Sequence, residues 1–140
     1  GQTAEMVAQD LALAKDLNVE MLSMGPFLPH PATPLARHPK PAVDQVVQAL
    51  AVARFVLPRQ AKILVTTGLE TLDPAARRKA LMAGANSVML NVTPVEKRAL
   101  YEIYPGRAHQ ADPIAGQINE TIELLRGIGR APTDLSVGME

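Results

Sequence analysis

The order of apolar segments along this chain constrains its fold more than any other sequence feature. Three short apolar segments, each followed by a turn that contains Gly or Asn, alternate with longer segments whose apolar residues recur at helical spacing. A strand, a helix and a second strand in this order predict a right-handed crossover between parallel strands of one sheet. The predicted elements in chain order are a helix over residues 3–17, a strand over Val19–Met24, a helix over Pro41–Leu57, a strand over Ala61–Thr67, a helix from Asp73 to about Ala83, a strand over Ser87–Leu90, a helix from Thr93 to about Tyr101 and a helix from Asp112 to Leu125.

A proline-rich loop over residues 25–41 separates the first predicted strand from the next helix. Proline fixes φ and lacks a backbone donor, so six prolines in this segment exclude a helix or a central strand. Long loops inside compact domains are often functional, and the sequence leaves the role of this one open.

The composition excludes several classes of protein. The chain has no cysteine, so it forms neither disulfides nor cysteine-ligated metal sites by itself. Fourteen basic residues balance 14 acidic residues, which predicts no nucleic-acid partner and no anionic membrane partner. The polar start at Gly1 is not a signal peptide and lacks an initiator Met, so we expect a fragment of a cytoplasmic protein.

Polar side chains follow each of the three predicted strands. The three segments are Met24–Phe27, Thr66–Gly68 and Met89–Asn91. In α/β barrels, function lies at the carboxyl ends of the strands, so these hydroxyl, amide and thioether groups suit a small polar ligand. The alternative is that they are only turn and cap residues. Glu70, just beyond the second strand, is either a general base on a rim loop or a solvated charge.

The histidines and tyrosines are weaker candidates. His30, His38 and His109 have no acidic neighbour that completes a metal-ligand pattern, so we expect exposed histidines and no metal site. Tyr101 and Tyr104 are core, interface or pocket residues.

Several segments together resemble one family of enzymes. The segments are Gly1-Gln2-Thr3, MGPFLPHPATPL (24–35), Thr66, Thr67 and Thr71, AGANSVMLNVTP (83–94) and LYEIYPGR (100–107). In this combination and order they resemble the carboxyl half of radical S-adenosylmethionine enzymes, in particular the group that contains the hydrogenase maturase HydE and biotin synthase. The carboxyl-terminal region of these enzymes is also recognised as a domain shared by biotin- and thiamine-synthesis enzymes.

The resemblance implies a fold, two cofactors and a set of site residues. Members of the family fold as (βα)8 barrels and hold a 4Fe-4S cluster on a CxxxCxxC loop. The cluster cleaves S-adenosylmethionine to a 5′-deoxyadenosyl radical that acts on a substrate inside the barrel. By resemblance, the residues beside the cofactor are Gln2, Met24, Gly25 and Phe27, and those lining the substrate cavity are Thr66, Thr67, Met89, Tyr101 and Tyr104.

The chain departs from the family in ways that limit its chemistry. The cluster cysteines are absent, so we expect no catalysis by this chain alone and name no catalytic residue. Leu90 stands where the family has proline after the last barrel strand, which alters the pocket. Lys62 lies at the amino-terminal end of its strand, which disfavours an aldolase-type Schiff base.

The predicted fold class is therefore α/β, a half-barrel of about three parallel strands with outer helices. Residues 1–130 form the carboxyl-terminal half of the barrel, and residues 131–140 form a loosely ordered tail. A half-barrel leaves sheet edges and one face uncovered, so the expected partners are a small-molecule substrate and, for the uncovered sheet, the amino-terminal half of its own barrel or a second copy. The competing hypothesis is a non-catalytic module for ligand binding or assembly.

Overall fold

A computed structural model describes residues 1–133 and contains one three-stranded parallel sheet. The elements are α1 (Ala4–Asp16), β1 (Met21–Ser23), α2 (Val43–Val56), β2 (Lys62–Val65), α3 (Thr67–Leu72), α4 (Ala76–Ala83), β3 (Ser87–Val88), a 3₁₀ helix (Val95–Tyr101) and α5 (Ile114–Gly127). The strand order is β1-β2-β3, which confirms the predicted α/β class of a partial TIM-type barrel. Of the predicted tail, residues 134–140 lie outside the described part of the chain.

The two faces of the sheet differ in burial. Leu22 pairs with Ile63 and Val65 pairs with Val88, and these side chains contribute to the core beneath the helices. The opposite face is the inner face, defined by Met21, Ser23, Lys62, Leu64 and Ser87. No helix of the described chain forms a layer over the inner face, and Met21 is 53% exposed.

The hydrophobic core lies between the sheet and α2 and α4. Ile63 and Val65 are fully buried there, together with Leu50 of α2 and Leu81 of α4. Burying one such aliphatic side chain contributes about 1.5–3 kcal/mol. Small residues at the helix contacts let the helices approach the sheet closely; these are Ala53, Ala76 and Ala80. No helix within residues 1–133 is long and apolar enough to cross a membrane.

One helix was not predicted. The strand predicted over Ala61–Thr67 is limited to Lys62–Val65 because Thr66 is the extended N-cap of α3 and Thr67 is its first residue. The buried side chain of Leu69 anchors this short helix to the core, a tertiary contact that the local sequence does not show.

Two predicted helix starts were also wrong. The helix predicted from Thr93 is a 3₁₀ helix that begins at Val95, and Pro94 precedes it without a side-chain cap. Asp73 accepts a hydrogen bond from Ala75 N at 2.9 Å, so it closes a turn and α4 begins only at Ala76.

Arg98 explains the first of these two differences. Its guanidinium is fully buried and donates to the carbonyls of Asn91, Thr93, His109, Gln110 and Asp112 at 2.7–3.2 Å. These bonds tie the 3₁₀ segment to the loops on either side of it, in place of a solvated helix face.

Candidate functional site

The loops that follow β1 and β2 touch at the carboxyl edge of the sheet. A Cβ atom on Gly25 would lie 2.7 Å from Oγ1 of Thr66, so only glycine allows this approach. The Thr66 Oγ1 atom is buried and has no hydrogen-bond partner among the described residues. An unpaired buried hydroxyl costs about 1–3 kcal/mol, and such atoms concentrate where a ligand or water completes the site.

The second contact at this edge joins Thr67 to Tyr104. The two hydroxyls are 3.2 Å apart, and Thr67 O accepts a bond from Thr71 Oγ1 at 2.9 Å. A Cβ atom on Gly68 would lie 3.6 Å from the Tyr104 hydroxyl, so the ring end of Tyr104 rests over the first turn of α3. The structure thus brings Thr66, Thr67 and Tyr104 together from positions up to 38 residues apart in the chain.

The other two predicted cavity residues are placed differently. Met89 directly follows β3, and its N–H donates to Val65 O at 3.0 Å, so it lies at the same edge. Tyr101 ends the 3₁₀ helix, is 61% exposed and makes no side-chain hydrogen bond with any residue in the range 1–133. A cavity lined by all five residues stays a prediction.

The four residues predicted beside the cofactor line one groove. It has a volume of about 900 Å³ and lies between the start of α1, the start of α2 and the loop over 25–41, and Gln2, Met24, Gly25 and Phe27 all line it. The rings of Phe27 and His38 meet edge to face, with centroids 5.4 Å apart at 87°. The volume lies within the range of about 300–1,000 Å³ that is typical of small-molecule sites.

The proline-rich loop is built from successive tight turns. Thr33 N donates to His30 O, Ala36 N to Thr33 O and His38 N to Leu35 O, at 2.9–3.1 Å. His30 Nδ1 also accepts from Ala32 N at 3.1 Å. His30 and His38 are half-buried parts of this loop, so the prediction of exposed histidines was wrong for both.

A buried charged cluster beneath the site was missed by the sequence analysis. Glu70 is 6% exposed and forms an ion pair with Arg77, which also donates to Thr121 Oγ1 at 3.2 Å. Glu70 is therefore neither a general base on a rim loop nor a solvated charge. Its partner lies seven residues away on the next helix, and no local pattern marks the pair.

His109 belongs to the same charged cluster, so the prediction of an exposed histidine was wrong for this residue as well. It is 11% exposed, and its Nδ1 lies 2.8 Å from Asp112 Oδ2, an acidic partner that the sequence analysis excluded. His109 Nε2 lies 2.8 Å from Arg77 Nη2 and 3.4 Å from Glu70 Oε1, so the imidazole links both members of the ion pair. Ligand atoms of His109, Asp112 and Glu120 lie within 4.8 Å of one another, and the side chains of Asp112 and Glu120 are exposed.

Comparison with known protein families identifies the family of this chain. Residues 23–123, from the end of β1 into α5, match the family described as biotin and thiamin synthesis associated domain. The chain belongs to this family. The biotin and thiamin synthesis associated domain therefore includes the loop over 25–41, the Thr66–Gly25 contact and the charged cluster, whereas Gln2 and α1 precede the matched range.

Individual relatives support the same assignment. The chain is 35% identical over 132 residues to the [FeFe] hydrogenase maturase subunit HydE of Thermotoga maritima, a match covering 94% of this chain and 38% of the relative. It is 35% identical over 69 residues to the biotin synthase of Bordetella avium, covering 49% of this chain and 21% of the relative. It is 31% identical over 106 residues to that of Allorhizobium ampelinum, covering 70% and 32%. The predicted resemblance is confirmed, and the chain spans well under half the length of these relatives.

Proposed function

We propose that this chain forms the carboxyl-terminal part of the barrel of a radical S-adenosylmethionine enzyme and supplies one wall of its substrate and cofactor site. The shared groove of Gln2, Met24 and Phe27 is the observation that carries this proposal. These residues come from two separate segments of the chain, yet they line one opening beside the carboxyl edge of the sheet, where α/β barrels bind their ligands.

The number of strands agrees with this assignment. A TIM-type barrel has eight strands, and three of eight is about 38%. The chain spans 38% of the maturase relative, so its three strands are the share expected for a segment of that length. On this proposal the remaining strands belong to an amino-terminal half of the barrel, which covers the inner face.

The residues of this chain do not fit a 4Fe-4S cluster. Such clusters are held by cysteine thiolates, and the chain has no cysteine. The cluster ligands therefore belong to the amino-terminal half on this proposal, and the chain alone is inactive in radical chemistry.

The groove does fit S-adenosylmethionine, which supplies a 5′-deoxyadenosyl radical when it is bound beside a reduced cluster. Phe27 offers an aromatic surface to the adenosyl group, and Gln2 offers an amide in the same groove. The unpartnered Thr66 hydroxyl is available for a hydrogen bond at the adjoining edge.

The substrate side of the wall is formed by the remaining predicted residues. Thr67 and Tyr104 present two hydroxyls that already contact each other, and Met89 adds a polarizable thioether at the end of β3. With Tyr101 completing the wall, this set suits a small substrate with both polar and apolar parts.

Titration calorimetry of S-adenosylmethionine tests the cofactor wall. The two phenylalanines of the chain provide a matched pair, because Phe27 lines the groove and Phe55 on α2 is 91% exposed outside it. Losing one aromatic contact costs about 1 kcal/mol of binding free energy, which corresponds to about a fivefold loss of affinity. We expect Phe27→Ala to weaken binding by about that factor and Phe55→Ala to leave it unchanged. Equal affinities of both variants would contradict the cofactor wall.

The reading frame upstream of Gly1 separates this proposal from the alternative, a non-catalytic module for ligand binding or assembly. A CxxxCxxC segment encoded in frame upstream supports the enzyme. An initiation codon immediately before Gly1 would support the module.

A further inference from the structure

A second cavity shares no lining residue with the groove. It has a volume of about 670 Å³ and is bounded by α2, α4 and α5 around the amino ends of β2 and β3. Its charged lining residues are Arg54, Arg59 and Arg130. Within residues 1–133, no aspartate or glutamate lines it.

Arg54 is held rigidly at this cavity. Its guanidinium donates to the carbonyls of Gly84, Arg59 and Ala61 at 3.0–3.1 Å. Gly84 has φ +130°, and a Cβ atom there would lie 2.8 Å from Cβ of Arg54. The glycine therefore makes room for the arginine stem, and the guanidinium is fixed before any ligand arrives.

Arg130 brings a second guanidinium to the neighbouring peptide group. Its Nη1 donates to Ala85 O at 2.9 Å, one residue beyond the carbonyl that Arg54 Nε binds. A guanidinium has five N–H donors in a planar fork that matches an oxyanion. These bonds use only part of the ten donors of the two side chains.

The positive charge at this cavity is not balanced by the described residues. No carboxylate of residues 1–133 forms an ion pair with Arg54, Arg59 or Arg130. The carbonyl end of α4 carries about half a negative charge, against three full positive charges. Polar side chains without charge complete the lining, among them Ser87 and Thr121.

We propose that this cavity is a binding site for an oxyanion of the phosphate type, either inorganic phosphate or a phosphomonoester. The guanidinium of Arg54, held by three carbonyls, and that of the exposed Arg130, held by one, bind the oxygens, because charge-assisted bonds from arginine to phosphate are strong and directional. Leu81, Val88 and Leu125 give the cavity an apolar side that accommodates the organic part of a phosphomonoester. This site is independent of the cofactor groove and of the proposed enzymatic function.

Titration calorimetry of the 140-residue chain tests the site, with inorganic phosphate and phenyl phosphate as separate ligands and sodium chloride at matched ionic strength as the blank. We expect saturable binding that Arg130→Gln weakens at least about tenfold, the loss of a charge-assisted pair. Arg126→Gln is the matched control, since Arg126 is exposed on α5 and does not line the cavity. Tighter binding of phenyl phosphate identifies a phosphomonoester site, and equal binding identifies a site for the bare anion.

Two results would overturn the proposal. One is no heat above the chloride blank from either phosphate ligand. The other is an equal loss of affinity in Arg126→Gln and Arg130→Gln, which would show that phosphate affinity depends on the net charge of the chain and not on this cavity. Arg59→Gln is a second variant in the cavity: the side chain is exposed, so we expect little change in stability and a loss of phosphate affinity.

Discussion

The side-chain amide of Gln117 is paired with the main chain of Asn91. Gln117 Oε1 accepts from Asn91 N at 3.0 Å, and Gln117 Nε2 donates to Asn91 O at 3.2 Å. Both residues are almost completely buried. The pair therefore fixes α5 to the segment that leaves β3, in the way that a neighbouring strand would.

Removing this amide leaves the buried N–H of Asn91 without its partner, whereas the Asn91 carbonyl keeps its bond from Arg98. We expect Gln117→Ala to lower the free energy of unfolding by about 1–3 kcal/mol, the cost of one unsatisfied buried group. Asn119→Ala, at an exposed position on the same helix, changes it by less than about 0.5 kcal/mol. Urea unfolding followed by circular dichroism measures both, and similar values for the two variants would contradict an anchoring role.

The buried pair of Glu70 and Arg77 predicts a strong effect of neutralising one partner. Glu70→Gln leaves the Arg77 guanidinium buried without its counter-charge, and we expect a loss of about 3–5 kcal/mol in stability. Glu70→Leu combined with Arg77→Met recovers most of that loss, because two apolar side chains need no counter-charge. Glu123→Gln on the exposed side of α5 serves as the control. Full stability of Glu70→Gln in thermal unfolding would refute a structural ion pair.

The contact of Gly25 with Thr66 predicts a compensating pair of substitutions. Gly25→Ala places a methyl group 2.7 Å from Thr66 Oγ1, so we expect a loss of about 1–3 kcal/mol from overpacking. Thr66→Ala removes the crowded atoms, and the double variant regains most of the stability. A double-mutant cycle by chemical denaturation measures this coupling; additive effects would show that the two loops do not touch.

The exposed pair of Asp73 and Lys79 predicts a small dependence of stability on pH. A hydrogen bond from Lys79 Nζ at 2.8 Å, then one from Ala75 N, hold the pKa of Asp73 below its ordinary value. A lowered carboxyl pKa stabilises the fold above the ordinary aspartate pKa, and this stabilisation disappears as the pH falls through the lowered value.

We therefore expect Asp73→Asn to lower the melting temperature slightly at pH 7 and to match the parent chain in strong acid. The difference also shrinks in 1 M salt, because exposed pairs are screened. Asp16→Asn, at an exposed position on α1, serves as the control substitution. A difference that persists at low pH would mean that Asp73 acts through its turn geometry rather than its charge.

The sequence predicted the positions of the three strands along the chain because each strand is a local apolar run that ends in a turn. It did not predict α3, because Thr67 and Gly68 are poor helix formers and the helix depends on burial of Leu69 in the core. Short apolar runs of this kind specify an element but not its length.

The candidate site was predictable only in part, because some of its residues contact partners that are far away in the sequence. Met24, Gly25 and Phe27 are local to one strand end, so one motif identifies them. The partners of His109 and Glu70 lie up to 39 residues apart, and single-sequence patterns carry no such pairing. Arg98 looks like a solvated charge in a short helix, although backbone carbonyls hold it in the interior.

The uncovered inner face makes the stability of this fold depend on the concentration of whatever binds there. A segment that binds only the folded sheet raises the free energy of unfolding by about 2.7 kcal/mol when its free concentration is a hundred times its dissociation constant. Exposed Met21 and the free edges of β1 and β3 are the groups that such binding protects. The melting temperature of this chain therefore rises with the concentration of the segment that binds the inner face.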